Sequence, residues 1–371
     1  MSTIRVLDLG LVPSIRSQTV YHAVAHAMTP ATPDTLVLVS PTDPYVCIGF
    51  HQELEREVDL SYCREHGLPV YRREVGGGAV YLDRNQLFAQ WIFHRDHLPA
   101  SVEDRFELYI RPLVETYRKL GIQAYHRPVN DIHVAGRKIG GTGAASMGEA
   151  EVVVGSLMFD FDCGVMSRVL RVPSEKMRDK LHRSIQDYMT TMTRELGWTP
   201  EREMVKAVYL DRCRAALGAA IVAGVLTERE EAAVRRWDER LSSPEWLHQR
   251  GTMRRKGVKV SEDVRVVEGS HKAPGGLIRV TARLRHGRVE DIDITGDFTL
   301  LPASRVADLE RAVRGIEVVP EVVLSHFREV YEEMDLWSPG VTAEDFAFAL
   351  LAATGPVAAD GRRASAWEDD D

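Results

Sequence analysis

The chain has 371 residues, 44% of them hydrophobic and 27% charged, with 47 Lys and Arg against 55 Asp and Glu for a net charge of −8. The apolar content excludes a wholly disordered chain, which could not offset its ordering entropy. The acidic balance argues against a broad nucleic-acid footprint, which requires a basic face, but leaves room for a local basic pocket around one phosphorylated ligand. At about 100–200 residues per domain, two or three domains are expected. Four cysteines are too sparse for a disulfide scaffold. The opening MSTIRVLDLG lacks a basic stretch followed by an apolar one, so no secretory signal is expected. Apolar runs such as 215–226 are too short to span a bilayer. The expectation is a soluble cytoplasmic monomer that binds neither membrane nor nucleic acid.

In chain order, the β-branched run 35–39 reads as a strand, followed by strands over 45–49 and 68–73. A glycine triplet ends the last of these, and 79–82 can pair with it. Residues 87–93 form another strand. Phe106, Ile110, Leu113, Val114 and Tyr117 recur at helical spacing over 105–120. Residues 131–134 and 137–139 read as strands around an Ala135-Gly136 turn, and 152–161 as a long strand. Strands mixed with helices point to an α+β (mixed α/β) fold. A charged helix over 227–241 is broken by Ser242-Ser243-Pro244. Beyond it, 276–284 and 288–294 alternate apolar and polar residues around a His286-Gly287 hairpin turn. Helices follow over 306–313, 320–333 and 342–353. The organisation expected is a large domain over 1–245, a small α+β domain over 246–355 and a disordered tail over 356–371.

Two segments carry chemistry. The first is Arg72-Arg73-Glu74-Val75-Gly76-Gly77-Gly78-Ala79-Val80-Tyr81-Leu82-Asp83. Consecutive glycines let the backbone approach a ligand closely, their N–H groups can converge on an anion, and Arg72 and Arg73 can add charge-assisted contacts to phosphate. A tight turn with surface arginines would give the same pattern. The run is neither a P-loop nor a dinucleotide fingerprint. The second is Asn130-Asp131-Ile132-His133-Val134-Ala135-Gly136-Arg137-Lys138-Ile139-Gly140-Gly141-Thr142-Gly143. A strand-borne Lys138 can bridge a carboxylate and an α-phosphate as they join. Asp131 can hold a Mg2+ that shields phosphates. Surface charge at a hairpin turn is the alternative for Arg137 and Lys138.

Together these segments resemble the lipoate–protein ligases of the biotin/lipoate ligase superfamily. Residues 72–83 are similar to the family's Arg-Arg-x-Ser-Gly-Gly-Gly-Ala-Val-Phe-His-Asp run, and 130–143 to its Asn-Asp-…-Gly-x-Lys-Ile-Ser-Gly-Ser-Ala run. Ile48-Gly49-Phe50-His51-Gln52, Val154-Gly155-Ser156-Leu157-Met158-Phe159 and the 171–180 stretch match in order, and 287–298 is similar to the family's accessory domain. The resemblance covers roughly residues 3–355. It implies a large catalytic domain of the biotin/lipoate ligase type with a small accessory domain. It also implies a two-step reaction: lipoate and Mg-ATP give lipoyl-adenylate and pyrophosphate, then an acceptor lysine takes the lipoyl group and AMP leaves. Lys138 would contact the carboxylate and α-phosphate. Arg72, Arg73, Gly76, Gly77, Gly78, Ala79, Val80, Asn130, Asp131 and Gly141 would bind ATP and lipoyl-AMP, with Asp131 on Mg2+. The cofactors implied are ATP and Mg2+, with lipoate as substrate. The partner is a lipoyl-acceptor protein: a dehydrogenase E2 subunit, a glycine-cleavage H protein or a specialised lipoyl carrier. Val75, Leu82, Val154, Gly140, Thr142 and Phe50 depart from the family pattern by replacing polar residues, which bears on acyl substrate and acceptor more than on adenylation.

Two other readings share the fold: an octanoyl or lipoyl acyltransferase working without ATP, and a non-catalytic lipoyl-binding relative. The first would be favoured by a cysteine beside Lys138. Cys47 falls in an apolar strand, Cys163 in a turn and Cys213 in a helix, as expected of structural thiols. His22 and His26 stand i,i+4 on a helix, but without a third ligand they read as structural.

Overall fold

In the computed structural model, residues 3–99, 102–251 and 264–354 are described. Their β-branched and aromatic runs form β1 (Thr3–Val12), β2 (Thr35–Pro41), β3 (Tyr45–Ile48), β4 (Val70–Arg72), β5 (Val80–Leu82), β6 (Gln86–His94) and β7 (Tyr125–Arg127). β8 (Asp131–Val134), β9 (Arg137–Met147), β10 (Ala150–Met158) and β11 (Ala220–Ala223) follow. A mixed eight-stranded sheet runs β11-β1-β2-β6-β10-β9-β8-β7. β1 pairs parallel with β2 and β11, and the remaining neighbours are antiparallel. β2 and β6 are buried along their whole length, which is why their apolar residues do not alternate with exposed polar ones.

A three-stranded sheet, β4-β3-β5, lies in the same part of the chain. Here the structure corrects the expectation that 79–82 pairs with the strand before the glycines. β3 lies between them, parallel to β4 and antiparallel to β5. Tyr45–Ile48 is fully buried, and with a strand on each side neither of its edges is left with unpaired peptide groups. Cys163, expected in a turn, instead begins the helix Cys163–Val169, capped by Asp162.

The helix Val102–Lys119 buries Ile110, Leu113, Val114 and Tyr117 of the stripe its spacing predicts, and Tyr109 besides; the side chain of Phe106 lies outside the described residues. The helix Glu228–Ser242 begins with a capping box between Thr227 and Glu230, satisfying N–H groups that have no partner within the helix.

The chain divides into two compact units. One comprises Met1–Ile48, Glu55–Val75 and Ala79–Leu247; the other comprises Gly49–Leu54, Gly76–Gly78 and His248–Asp371. In the second, β12 (Val264–Ala273), β13 (Gly276–Arg285) and β14 (Arg288–Gly296) form an antiparallel sheet. The β13–β14 turn has φ of 49° at His286 and 77° at Gly287, as a two-residue hairpin of this hand requires. Helices Val306–Ala312, Pro320–Glu333 and Ala343–Ala352 follow, and Phe298, Phe327 and Phe346 are fully buried. A side chain at Gly269 of β12 would collide with Ala349 O of the last helix and with Ala353 N just after it, so glycine lets that backbone approach closely. Among the described residues no helix is long and apolar enough to cross a membrane. The tail expected over 356–371 lies outside the described residues.

Candidate active site

The site grows from the β8–β9 hairpin. Its turn places Ala135 at φ 46° and Gly136 at φ 82°. Asp131 pairs with Gly141 and Ile132 with Gly140; the register then shifts, so that His133 pairs with Lys138 and Val134 with Arg137. Strict alternation would put Lys138 and Gly141, three residues apart, on opposite faces. The extra residue, Ile139, resets the alternation and turns Lys138 to the face shared by Asp131, His133 and Gly141. There Lys138 Nζ lies 2.7 Å from Asp131 Oδ1. A Cβ at position 141 would stand 3.0 Å from that Nζ and 3.5 Å from Asp131 Oδ1, so the glycine leaves the gap in which the pair sits.

The bulge is held from several sides. Tyr117, buried on the helix Val102–Lys119, donates its hydroxyl to Ile139 O at 3.1 Å and accepts from Met158 N at 2.9 Å. One phenol thus satisfies a carbonyl at the bulge and an amide on β10. Thr190 N donates to Lys138 O at 2.8 Å. Asn130 Nδ2 donates to Thr142 O at 2.6 Å, and Thr142 N returns a bond to Asn130 O at 2.8 Å. Asn130 therefore clamps the start of β8 to β9.

Two residues that sequence reasoning missed belong here. Tyr188, last residue of the helix Glu175–Tyr188, donates its hydroxyl to Asp131 Oδ2 at 3.3 Å and lies 3.5 Å from His133 Nε2. Partial burial and the neighbouring Asp131 carboxylate push this phenol up. His133 is fully buried, and its ring meets Tyr188 edge-on at 5.6 Å. The hairpin pattern could have flagged His133, which stands two residues from Asp131 on one strand face. Tyr188 is 50 residues from Lys138 in sequence, so no local signal connects them.

The other predicted residues make different contacts. Arg72 is fully buried; its Nε and Nη2 donate to Leu247 O at 3.0 and 2.7 Å, and Trp246 Nε1 donates to Arg72 O at 2.8 Å. Arg73, also buried, donates from Nη1 to Cys47 O at 3.2 Å. Val80 pairs with Cys47, and Ala79 and Val80 are half-buried. In the second unit, Gly77 adopts φ 89°, a conformation that favours glycine. A Cβ at Gly76 would meet Thr299 Cα at 2.7 Å, so close backbone approach requires glycine there.

Each of the four thiols is pushed up, chiefly by burial: Cys47 despite Arg73, Cys63 to about 11 and Cys163 with help from Asp162. Cys213 rises further, despite its hydrogen bond with Tyr209. Raised thiols are poor nucleophiles at neutral pH because the thiolate is the reactive form. His22 uses both ring nitrogens, Nδ1 toward Gln18 O at 2.7 Å and Nε2 accepting from Glu74 N at 3.1 Å. Burial lowers it to about 4; it is a core histidine. Among the described residues no three His, Cys, Asp or Glu side chains group to hold a metal. The donor chemistry of the Asp131 carboxylate nevertheless fits Mg2+, which commonly takes one or two carboxylates and completes its shell with phosphate and water.

Residues 18–214 match the model of the lipoyl protein ligase A/B catalytic domain. Lipoate-protein ligase LplJ of Bacillus subtilis (strain 168) is 26% identical over 310 residues, 82% of this chain and 87% of that protein. Octanoyltransferase LipM of Kyrpidia tusciae is 26% identical over 276 residues, 67% of this chain and 100% of that protein. Among solved structures, the bi-partite lipoate protein ligase of Thermoplasma acidophilum, determined in a study of that ligase and its E2 lipoyl domain, aligns with a TM-score of 0.62 at 26% identity. It covers 67% of this chain and 97% of its own. Over that aligned part, the mixed α/β architecture matches the lipoate protein ligase fold. With the catalytic-domain match spanning more than half of its length, the chain belongs to the lipoyl protein ligase A/B catalytic domain family, an enzyme family of lipoate ligases and octanoyltransferases.

Proposed function

We propose that this chain is an ATP-dependent lipoate–protein ligase that forms lipoyl-AMP and passes the lipoyl group to a lysine of an acceptor lipoyl domain. The observation that carries this reading is the Lys138–Asp131 pair set beside the Gly141 gap. Joining a carboxylate to an α-phosphate brings two anions together, and a fixed ammonium stabilises the charge that spreads between them. In this role Lys138 leaves Asp131 Oδ1 for the substrate oxygens. Asp131 would hold Mg2+, which when bound would shield the phosphate charge. Asn130, Gly141, Arg72, Arg73, Ala79, Val80 and the backbone of Gly76–Gly78 keep their proposed parts in binding ATP and the adenylate. The nucleophile arrives on the acceptor, so the enzyme needs no thiolate of its own, in keeping with four raised thiols. We assign the adenylating function to residues 1–245 and the accessory role to 246–355.

The competing reading, transfer of an octanoyl group without ATP, has support in the similarity to an octanoyltransferase. An ATP–pyrophosphate exchange assay with lipoate, octanoate and biotin in parallel separates the two. The ligase reading expects lipoate-dependent exchange. Exchange that is indifferent to any acid, or absent with all three, would overturn it.

A further inference from the structure

The family match and the predicted motifs leave Tyr188 and His133 without a role, yet both touch the acidic half of the central pair. Tyr188 Oη donates to Asp131 Oδ2 at 3.3 Å, while Lys138 holds Oδ1 at 2.7 Å. His133 is fully buried. Among the described residues its Nδ1 has no hydrogen-bond partner, and its Nε2 faces Tyr188 Oη at 3.5 Å and Asp131 Oδ2 at 3.7 Å. Burying a bare acceptor at Nδ1 costs less than burying an orphaned N–H, so the proton belongs on Nε2. This orders one chain of donors: His133 Nε2–H to Tyr188, Tyr188 O–H to Asp131, with Lys138 on the other carboxylate oxygen.

The backbone secures the same arrangement. Lys138 forms a bridge with Met189 and accepts from Thr190 N at 2.8 Å, so the residues directly after Tyr188 are tied to the strand that carries Lys138. The phenol is thereby set over Asp131 by its own chain neighbours.

We propose that Tyr188, backed by His133, is a positioning residue for the Mg2+-nucleotide site: it fixes the plane of the Asp131 carboxylate. This rests on the adenylating reading above. A carboxylate anchored only by Lys138 would be free to turn once Lys138 moves to substrate. Anchored also through Oδ2, it keeps its orientation when that ion pair opens. Such outer partners of a metal-binding carboxylate commonly change metal affinity by about 10–100-fold when removed.

The test is Mn2+ binding, read from free Mn2+ by electron paramagnetic resonance, on the full chain saturated with ATP. Wild type, Tyr188→Phe and Asp131→Asn are compared. Tyr188→Phe is expected to weaken Mn2+ binding about 10-fold, with the half-saturating Mg2+ of lipoate-dependent exchange rising in parallel and the KM for lipoate unchanged. Tyr188 is 42% exposed, so the variant should fold, and an unchanged melting temperature verifies that. His133→Asn, which can still donate toward Tyr188, should lose less than Tyr188→Phe. Mn2+ binding by Tyr188→Phe equal to wild type, with Asp131→Asn impaired and wild-type exchange intact, would overturn this proposal alone. Absence of ATP-dependent Mn2+ binding and of exchange in wild type would overturn it together with the adenylating reading.

Discussion

Lys138 Nζ and Asp131 Oδ1 are 2.7 Å apart because Ile139 bulges out of the β8–β9 register. Without that residue's shift, the lysine would leave the opposite face of the sheet. The bulge thus converts two residues of one hairpin into an ion pair seated over Gly141.

Lys138→Ala is expected to abolish lipoate-dependent pyrophosphate exchange, a loss of at least ~10^2-fold, on the scale seen when one donor to a developing anion is removed. The lysine is partly exposed, so melting should hardly change. Activity above one tenth of wild type would remove Lys138 from its assigned role.

Gly141→Ala tests the gap. The new methyl would lie 3.0 Å from Lys138 Nζ, which is the end of a flexible side chain and can move aside. Stability should therefore survive while turnover falls, by as much as ~10^2-fold if the ammonium shifts by about 1 Å. Parallel melting and exchange measurements check this; a drop in melting temperature with unchanged turnover would refute it.

Tyr117→Phe removes the hydroxyl shared by Ile139 O and Met158 N. Two buried backbone groups lose their partner, for about 1–3 kcal/mol of unfolding free energy, measurable by urea denaturation. Exchange should fall too, since the lost bond supports the bulge next to Lys138.

His22 predicts an acid-side stability slope. Its folded value of about 4 lies below the ordinary 6.5, so between these pH values the unfolded chain holds the extra proton. Stability therefore rises with pH from about 4 to 6.5 and is lost as pH falls through that window. The full difference is on the order of 3 kcal/mol. His22→Gln should flatten the slope by about one proton, and an unaltered slope in urea titrations across this window would contradict it.

Acyl transfer without ATP, if it runs through a cysteine thioester, makes a separate statement about sulfur. With all four thiols raised, incubation with an octanoyl-carrier protein should leave the intact mass of the chain unchanged. An octanoyl adduct mapped to any cysteine would favour acyl transfer without ATP.

Much was legible in the chain itself. The stripe from Ile110 to Tyr117, the runs 35–39 and 87–93, and the Ala135-Gly136 and His286-Gly287 turns all correspond to observed elements, because periodicity and turn chemistry are local. β12 carries no comparable signal: one face of VRVVEGSHKA is exposed and, Val266 apart, polar, and its apolar partners lie elsewhere in the chain. For 79–82, sequence adjacency suggests a hairpin with the strand before the glycines, whereas the buried β3 takes a neighbour on each side.

By itself, the sequence determined the family through ordered motifs, and it named Lys138, Asp131 and Gly141 as candidates. Composition and spacing carry residue types and local conformation. Only the tertiary structure decided which face Lys138 leaves, that Asp131 is its partner, and that Tyr188 and His133 join them. It also decided that Arg72 is turned to Leu247 O. A one-residue change of register and contacts across 50 or more residues leave no periodic trace. They are settled when packing and the pairing of buried polar groups select one arrangement of the whole chain.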